Sequence, residues 1–364
     1  MEKRRTWIDG MKGIAICGVV MIHSGGSSLP SVWGRIGDIG KNGVQVFLLI
    51  SSCLVFGSME RAFAKGMTAK SIRNWLVRKF LKLIPLYYLA ILVYGVLTGG
   101  SSYWLGAEGH ITFFNVLAHV FFVHGFFPHY ADSIIGVEWY LGVLAIFYVI
   151  APLLYRIVTN LYRALITWII GTLSCTWLVY IVGKCIPDVI DAEIYYSYVS
   201  TFSFFSQFSV LLLGIVLFYL MKIIDNRSEE KDCVMTSYAL LLLGCVMIGG
   251  MALGLNSILG INEVGLFGLC FLVIAISQCM HSCKIIDNPF FRYLGKYSFP
   301  IYLFHYLFIY AYDSKIHFDF GQDIANWLVK YICVLGGTAL FAYLISNYFE
   351  NPITKRMLRG SHET

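Results

Sequence analysis

The chain has 364 residues, 58% of them hydrophobic and only 13% charged, with a formal net charge of +6. A soluble domain carries about a quarter charged residues, so water is not the main solvent here, and the basic excess does not mark a nucleic-acid binder. The positive residues collect in short loops between apolar runs, as the positive-inside rule predicts for the cytoplasmic face of a membrane protein.

Apolar runs near the ~20 residues needed to cross a bilayer recur at 10–30, 43–59, 80–98, 112–128, 137–156, 164–183, 205–222, 236–254, 262–281, 298–312 and 326–349. The expected fold is therefore all-α, a polytopic membrane helix bundle. Lys3, Arg4 and Arg5, Arg61–Lys82, Arg156 and Arg163, Lys222–Lys231, Lys284–Lys296 and Lys355–Arg359 mark the inside, which puts both termini in the cytoplasm. Two cytoplasmic ends require an even number of crossings. The run 112–128 is interrupted by His119 and His124 and has no basic flank, so it reads as a half-helix, leaving about 10 transmembrane helices. Residues 1–352 form one membrane domain and 353–364 a short basic cytoplasmic tail, with no linker or appended soluble domain visible. The start, Met1–Arg5 before an apolar stretch, imitates a secretory signal, but Asp9 and Lys12 fit a retained first helix better.

Ionisable groups within a bilayer each require a reason. On a continuous first helix, Asp9, Lys12 and His23 fall within an arc of about 60° over roughly 21 Å, a polar stripe facing the bundle interior. Asp9 and Lys12 also suit the interface, one favoured by the helix N-terminus and the other snorkelling. His23 lies deeper and has no local partner. A neutral imidazole there can take a proton from a hydroxyl. In the third run Arg78, Lys79 and Lys82 share a helical face and can converge on an anionic group such as a phosphate, or simply touch anionic lipid headgroups. Glu138 stands at the outer end of the fifth run, beside Trp139; it can orient a sugar or the histidine, or act as a solvated N-terminal carboxylate.

His110, His119, His124 and His129 recur at intervals of nine, five and five, which offers no metal pair at i, i+4. The ten cysteines contain no CxxC or Cys/His set at zinc spacing, and even Cys279 and Cys283, one helical turn apart, read as buried thiols. No metal and no bound cofactor are expected. His305, in Tyr302-Leu303-Phe304-His305-Tyr306, reads as a satisfied packing histidine rather than a second base.

Six segments, in order, resemble acyltransferase family 3. They are Ile8-Asp9-Gly10-Met11-Lys12-Gly13-Ile14-Ala15 followed by His23; Gly40–Ser51; Arg78-Lys79-Phe80-Leu81-Lys82-Leu83-Ile84-Pro85; Trp139-Tyr140-Leu141 with Phe147-Tyr148 and Pro152; Leu294–His305; and Phe349-Glu350-Asn351-Pro352. The resemblance implies a bacterial inner-membrane enzyme of ten helices that uses cytoplasmic acyl-CoA, chiefly acetyl-CoA, to O-acylate a glycan or lipid-linked glycan on the far side. His23 would be its catalytic histidine, Arg78, Lys79 and Lys82 would hold CoA phosphates, and Asp9, Lys12 and Trp139 would contact substrate. Membrane lipid is then a partner, nucleic acid is not, and the sequence leaves room for a homo-oligomer. Three positions depart from the family pattern. Lys12 replaces an arginine, Lys79 and Lys82 replace an Arg-x-x-Arg pair, and Leu144 takes the place of a glutamate whose role falls vacant or passes to Glu138. The absence of a fused extracytoplasmic domain argues for a surface or exopolysaccharide acceptor over peptidoglycan. Rival readings are a transporter or flippase for a glycan or lipid-linked sugar, and an inactive relative kept as an assembly partner.

Overall fold

The computed structural model describes residues 5–101, 109–185, 192–225, 232–254, 263–316 and 322–360. Lys3, Arg4, Arg227 and Lys231 of the expected basic clusters, and the last four residues of the expected tail, lie outside the described residues. The regular elements described are helical. In chain order they are α1 (Thr6–His23), α2 (Ser31–Ile39), α3 (Gly43–Ala62), α4 (Ala69–Leu97), α5 (Phe113–Val120), α6 (Trp139–Ile157), α7 (Leu161–Cys185), α8 (Ala192–Ser197), α9 (Phe204–Asp225), α10 (Asp232–Ala252), α11 (Glu263–Met280), α12 (Pro289–Lys296), α13 (Ser298–Ala311), α14 (Asp323–Ile345) and α15 (Asn351–Gly360).

Eight helical segments among the described residues are long and apolar enough to cross a membrane. Their exposed faces are apolar as well. On α7, Ile166, Ile169, Ile170, Leu173, Trp177 and Ile181 are open, and on α10 so are Leu242, Leu243 and Val246. A soluble monomer rarely exposes contiguous apolar surface on that scale, whereas a helix facing lipid needs it. The chain is a multi-pass membrane protein. As the sequence suggests, the run around 112–128 holds only a short helix: the eight residues of α5 rise about 12 Å, far less than the ~30 Å hydrocarbon core.

Local sequence sets the helix starts. Thr68 and Ser71 form a reciprocal capping box at α4, where the Ser71 N–H donates to Thr68 Oγ1 (3.1 Å) and the Thr68 N–H to Ser71 Oγ (2.9 Å). Thr112 Oγ1 accepts from the Asn115 N–H at α5 (3.1 Å). Asn288 Oδ1 accepts from the Phe291 N–H at α12 (3.0 Å), with Pro289 in the first turn.

The chain divides into two compact units, residues 1–50 with 220–349, and residues 51–219 with 350–364. In the first, α1 lies with its backbone directly on the segment 286–296. A Cβ on Gly10 would strike the Ile286 carbonyl, one on Gly13 the Phe291 carbonyl, and one on Gly295 the Asp9 carbonyl. On a second face, Gly40 meets the Gly18 carbonyl and Gly43 the Ala15 carbonyl. Small residues let helices in lipid approach this closely, so α1 is held on two sides by backbone contact. At its start, Asp287 accepts from Thr6 Oγ1 (2.8 Å) and from Arg292 Nε (2.5 Å). In the second unit α6 carries the core: residues 139–148 are all buried, with Phe147 and Leu141 fully so.

Two stability effects follow. Gly13→Ala should destabilise the protein by about 1–3 kcal/mol, the usual cost of overpacking, and lower its unfolding temperature in detergent. Gly249→Ala, where nothing lies within 4 Å of the added carbon, should leave that temperature unchanged. Burial works against charge on Asp287, but its hydrogen bonds from Arg292 and Thr6 outweigh that, and its carboxyl is held below the usual range. The group's stabilising contribution is therefore present at neutral pH and is lost as pH falls through the depressed value. Below about pH 5 the unfolding temperature of the wild type should fall more steeply than that of Asp287→Asn, as scanning fluorimetry on the two proteins can measure.

Candidate functional site

In the first unit α1 ends at His23. The Ser24 N–H closes the last turn on the Val20 carbonyl (2.9 Å), and Gly25 then turns the chain at φ +94°, a conformation that suits glycine. His23 Nδ1 lies 2.7 Å from Nε2 of His305, which sits fully buried on α13. His305 Nδ1 lies 2.8 Å from the carbonyl oxygen of Tyr302, one turn earlier on the same helix. The two imidazoles are tilted by only 15° with centroids 4.9 Å apart. With a 2.7 Å nitrogen–nitrogen contact, that places them edge to edge through a hydrogen bond rather than face to face.

The direction of the proton chain follows from what each atom can do. A carbonyl oxygen only accepts, so His305 Nδ1 must carry hydrogen. A neutral His305 then has its lone pair on Nε2, and His23 must donate from Nδ1. The other nitrogen of His23, Nε2, is left with a lone pair. The Tyr306 ring lies against both imidazoles, 4.8 Å from His23 and 4.7 Å from His305 between centroids.

Glu138 belongs to the second unit and its setting is different. It is fully buried, and its carboxylate accepts from the backbone N–H groups of Ile134 (2.6 Å), Ile135 (3.1 Å), Gly136 (2.7 Å) and Val137 (3.1 Å). The loop before α6 is thus wrapped around the side chain that ends it. His119 Nε2 stands 3.3 Å from Glu138 Oε1, off the direction of a hydrogen bond, while His119 Nδ1 donates to the Asn115 carbonyl (2.8 Å). His119 stacks on His124 at 4.4 Å and 9°, and His124 Nε2 meets the Glu138 carbonyl oxygen at 3.1 Å. Asp132 is buried nearby, and its Oδ1 finds no hydrogen-bond partner. Phe122 makes this arrangement reachable. It takes a left-handed φ of +58° after α5 and buries its ring 5.3 Å from Phe80 and 5.0 Å from Tyr87. The aromatic contacts offset a conformation that costs about 1 kcal/mol or more in a residue with a Cβ.

The basic segment also lies in the second unit, on α4. Lys79 is half-buried, with its ammonium 5.3 Å from the Trp75 ring and 5.7 Å from the Tyr148 ring, within cation–π range. The charges of Lys82 and Arg61 both bear on it, while Arg78 and Lys82 are exposed. Trp139 is buried, with its ring edge-on to Phe202 at 5.5 Å. Leu144 is buried in the core of α6. In the first unit, Asp9 and Lys12 are half-buried on α1, and the Asp9 charge bears on Arg292.

Sequence reasoning marked His23 but not its partner, because the two histidines are 282 residues apart. Two signals pointed to His305: an imidazole inside an apolar run needs a partner, and Leu294–His305 was itself one of the matched segments. Nothing in the spacing of His119, Asn115 and Asp132 signals their place around Glu138.

The sequence model of a family described as an acyltransferase domain matches residues 5–347. Among curated proteins, the chain is similar to a Staphylococcus aureus protein bearing the name of an O-acetyltransferase. The two are 21% identical over 378 residues, covering 97% of this chain and 58% of the relative. It is also similar to the peptidoglycan O-acetyltransferase OatA of Listeria monocytogenes, 22% identical over 377 residues, covering 96% of this chain and 55% of that protein. The chain thus spans a little over half the length of these relatives.

Glu138→Gln keeps the side chain's shape but turns an acceptor into an amide donor facing backbone N–H groups. Each stranded buried group costs about 1–3 kcal/mol, so the variant should unfold at a markedly lower temperature than the wild type. An unchanged unfolding temperature would mean that the carboxylate does not hold the loop.

Proposed function

The chain belongs to acyltransferase family 3, and from that premise we propose that it is a membrane O-acetyltransferase moving acetyl from cytoplasmic acetyl-CoA to a sugar hydroxyl of an exported cell-envelope glycan. The observation that carries this reading is the state of His23. It is an imidazole at the end of α1, with Nδ1 engaged as a donor and a lone pair left on Nε2.

Acyl transfer needs such a base. As the hydroxyl oxygen attacks the thioester carbonyl, His23 Nε2 takes the hydroxyl proton. The new ester C–O bond forms, the C–S bond breaks, and the proton leaves with CoA as its thiol. Arg78, Lys79 and Lys82 supply cations for the CoA phosphates. Lysine is a point charge and lacks the fork with which arginine grips phosphate, but Lys79 is steadied by Trp75 and Tyr148. The names of the relatives support a glycan acceptor, peptidoglycan in the Listeria protein.

Glu138, with its carboxylate enclosed by its own loop, serves as the organiser of the segment leading into α6 and not as a reacting acid. Trp139 acts with it by packing rather than by stacking on a sugar. Asp9 and Lys12 hold the cytoplasmic start of α1. The orientation is the one the basic loops dictate, with both termini inside and the His23 end of α1 directed outward, in the bacterial inner membrane. The protein binds no cofactor beyond its donor substrate. Anionic lipid surrounds its basic loops.

The test compares base-labile acetyl on envelope glycan, by proton NMR before and after mild alkali, in cells making wild-type or His23→Ala protein at equal membrane levels. A general base contributes about 10²–10⁴-fold, so the acetyl signal should disappear in the variant. Equal acetylation would remove His23 from the chemistry, and no acetyl in either strain would count against an O-acetyltransferase. Replacing Lys79 and Lys82 together by Gln should raise the KM for acetyl-CoA while leaving the protein folded.

A further inference from the structure

We infer that His305 is a positioning residue for the base: it fixes which nitrogen of His23 carries the lone pair and accepts the hydrogen bond that strengthens as His23 becomes charged. The inference rests on the reading of His23 as the base and adds a second imidazole to it.

The hydrogen-bond chain has one neutral solution. The Tyr302 carbonyl, 2.8 Å from His305 Nδ1, admits only a donor there, so His305 Nε2 can only accept, and the atom 2.7 Å away, His23 Nδ1, must donate. The reverse arrangement would set two lone pairs against each other at the carbonyl. Unconstrained imidazole favours hydrogen on Nε2, which would leave Nε2 of His23 unable to take a proton. His305 thus reverses the intrinsic preference of His23.

The same contact acts again during the reaction. When His23 Nε2 takes the hydroxyl proton, the ring becomes an imidazolium whose Nδ1–H already points at a neutral acceptor. A charge-assisted hydrogen bond is roughly twice as strong as a neutral one, so the contact is worth more after proton transfer than before it, the condition for lowering a barrier. His305 has no freedom to turn away. It is fully buried, and its other nitrogen is tied to its own helix. The Tyr306 ring, against both imidazoles, offers the new cation an aromatic surface within ~6 Å. No carboxylate is required in this arrangement, in keeping with the leucine at 144, and α13 supplies His305, Tyr302 and Tyr306 within five residues.

Two variants separate this role from packing. His305→Met keeps an apolar side chain of similar reach but cannot accept well from His23, whereas His305→Gln places an amide oxygen near the position of Nε2. Membranes carrying the host's own envelope glycan, supplied with radiolabelled acetyl-CoA, should show a maximal rate at least about 10²-fold lower for Met, a KM for acetyl-CoA within twofold of wild type, and recovery of tenfold or more with Gln. Equal rates for Met and Gln, or a wild-type rate for Met beside an inactive His23→Ala, would overturn the role of His305 and leave His23 standing as the base. Full activity in His23→Ala would instead remove the base reading itself. Nitrogen-15 NMR of histidine-labelled protein in nanodiscs gives a readout independent of activity. His23 should show a protonated Nδ1 and an unprotonated Nε2 in the wild type, and hydrogen moving to Nε2 in His305→Met. The same tautomer in both proteins would also overturn the inference.

Discussion

The contact on which the first unit depends is the one between bare backbones, where Gly10 and Gly13 of α1 press on the carbonyls of Ile286 and Phe291, and Gly295 presses on Asp9. Lipid gives helices no hydrophobic reason to associate, since its tails are as apolar as leucine, so close van der Waals packing has to supply the attraction. A seam of glycines on two faces fixes both the position of α1 and its rotation. The direction in which His23 leaves the helix is settled with them. A 2.7 Å hydrogen bond to a histidine on another helix survives only if neither helix can rock. The glycines thus serve geometry at the far end of α1, nearly three turns beyond Gly13.

Much of the architecture was legible because the bilayer imposes it. Apolar runs of crossing length, basic loops and scarce charge leave few alternatives to a helical bundle, and the short helix α5 was visible as a run broken by histidines. His23 stood out because an imidazole inside a membrane helix is expensive unless it has work to do. His305 carries the same signal, an imidazole in an apolar run, but its pairing with His23 across α1 and α13 is a tertiary fact with no periodic trace. Of the two readings open for Glu138, burial removes the solvated one. Its ligands are backbone N–H groups, which every residue possesses and no sequence displays, so nothing in the sequence shows that this side chain is enclosed by its own loop.

The two units manage buried histidines by the same device. His305 and His119 each spend Nδ1 on a carbonyl of their own helix, Tyr302 and Asn115 respectively, which leaves Nε2 turned outward as the informative atom. In one case it faces another imidazole and in the other a carboxylate. The difference decides what each site can do. A neutral partner allows His23 to gain a proton and give it up again. The carboxylate facing His119 already accepts four backbone donors. The first arrangement suits the proposed proton transfer, and the second suits holding a loop in place.

The substitutions that distinguish this chain from the family pattern can be understood in the same terms. A leucine at 144 removes a carboxylate from the core of α6 and fills its place with apolar volume, which a reaction can tolerate only if the developing positive charge is met elsewhere. If His23 acts as the proposed base, the positive charge it gains is met by its hydrogen bond to His305, a neutral acceptor, without the cost of burying an ion pair. Lysine in place of arginine at 79 gives up bidentate grip, yet the ammonium lies within cation–π range of the Trp75 and Tyr148 rings.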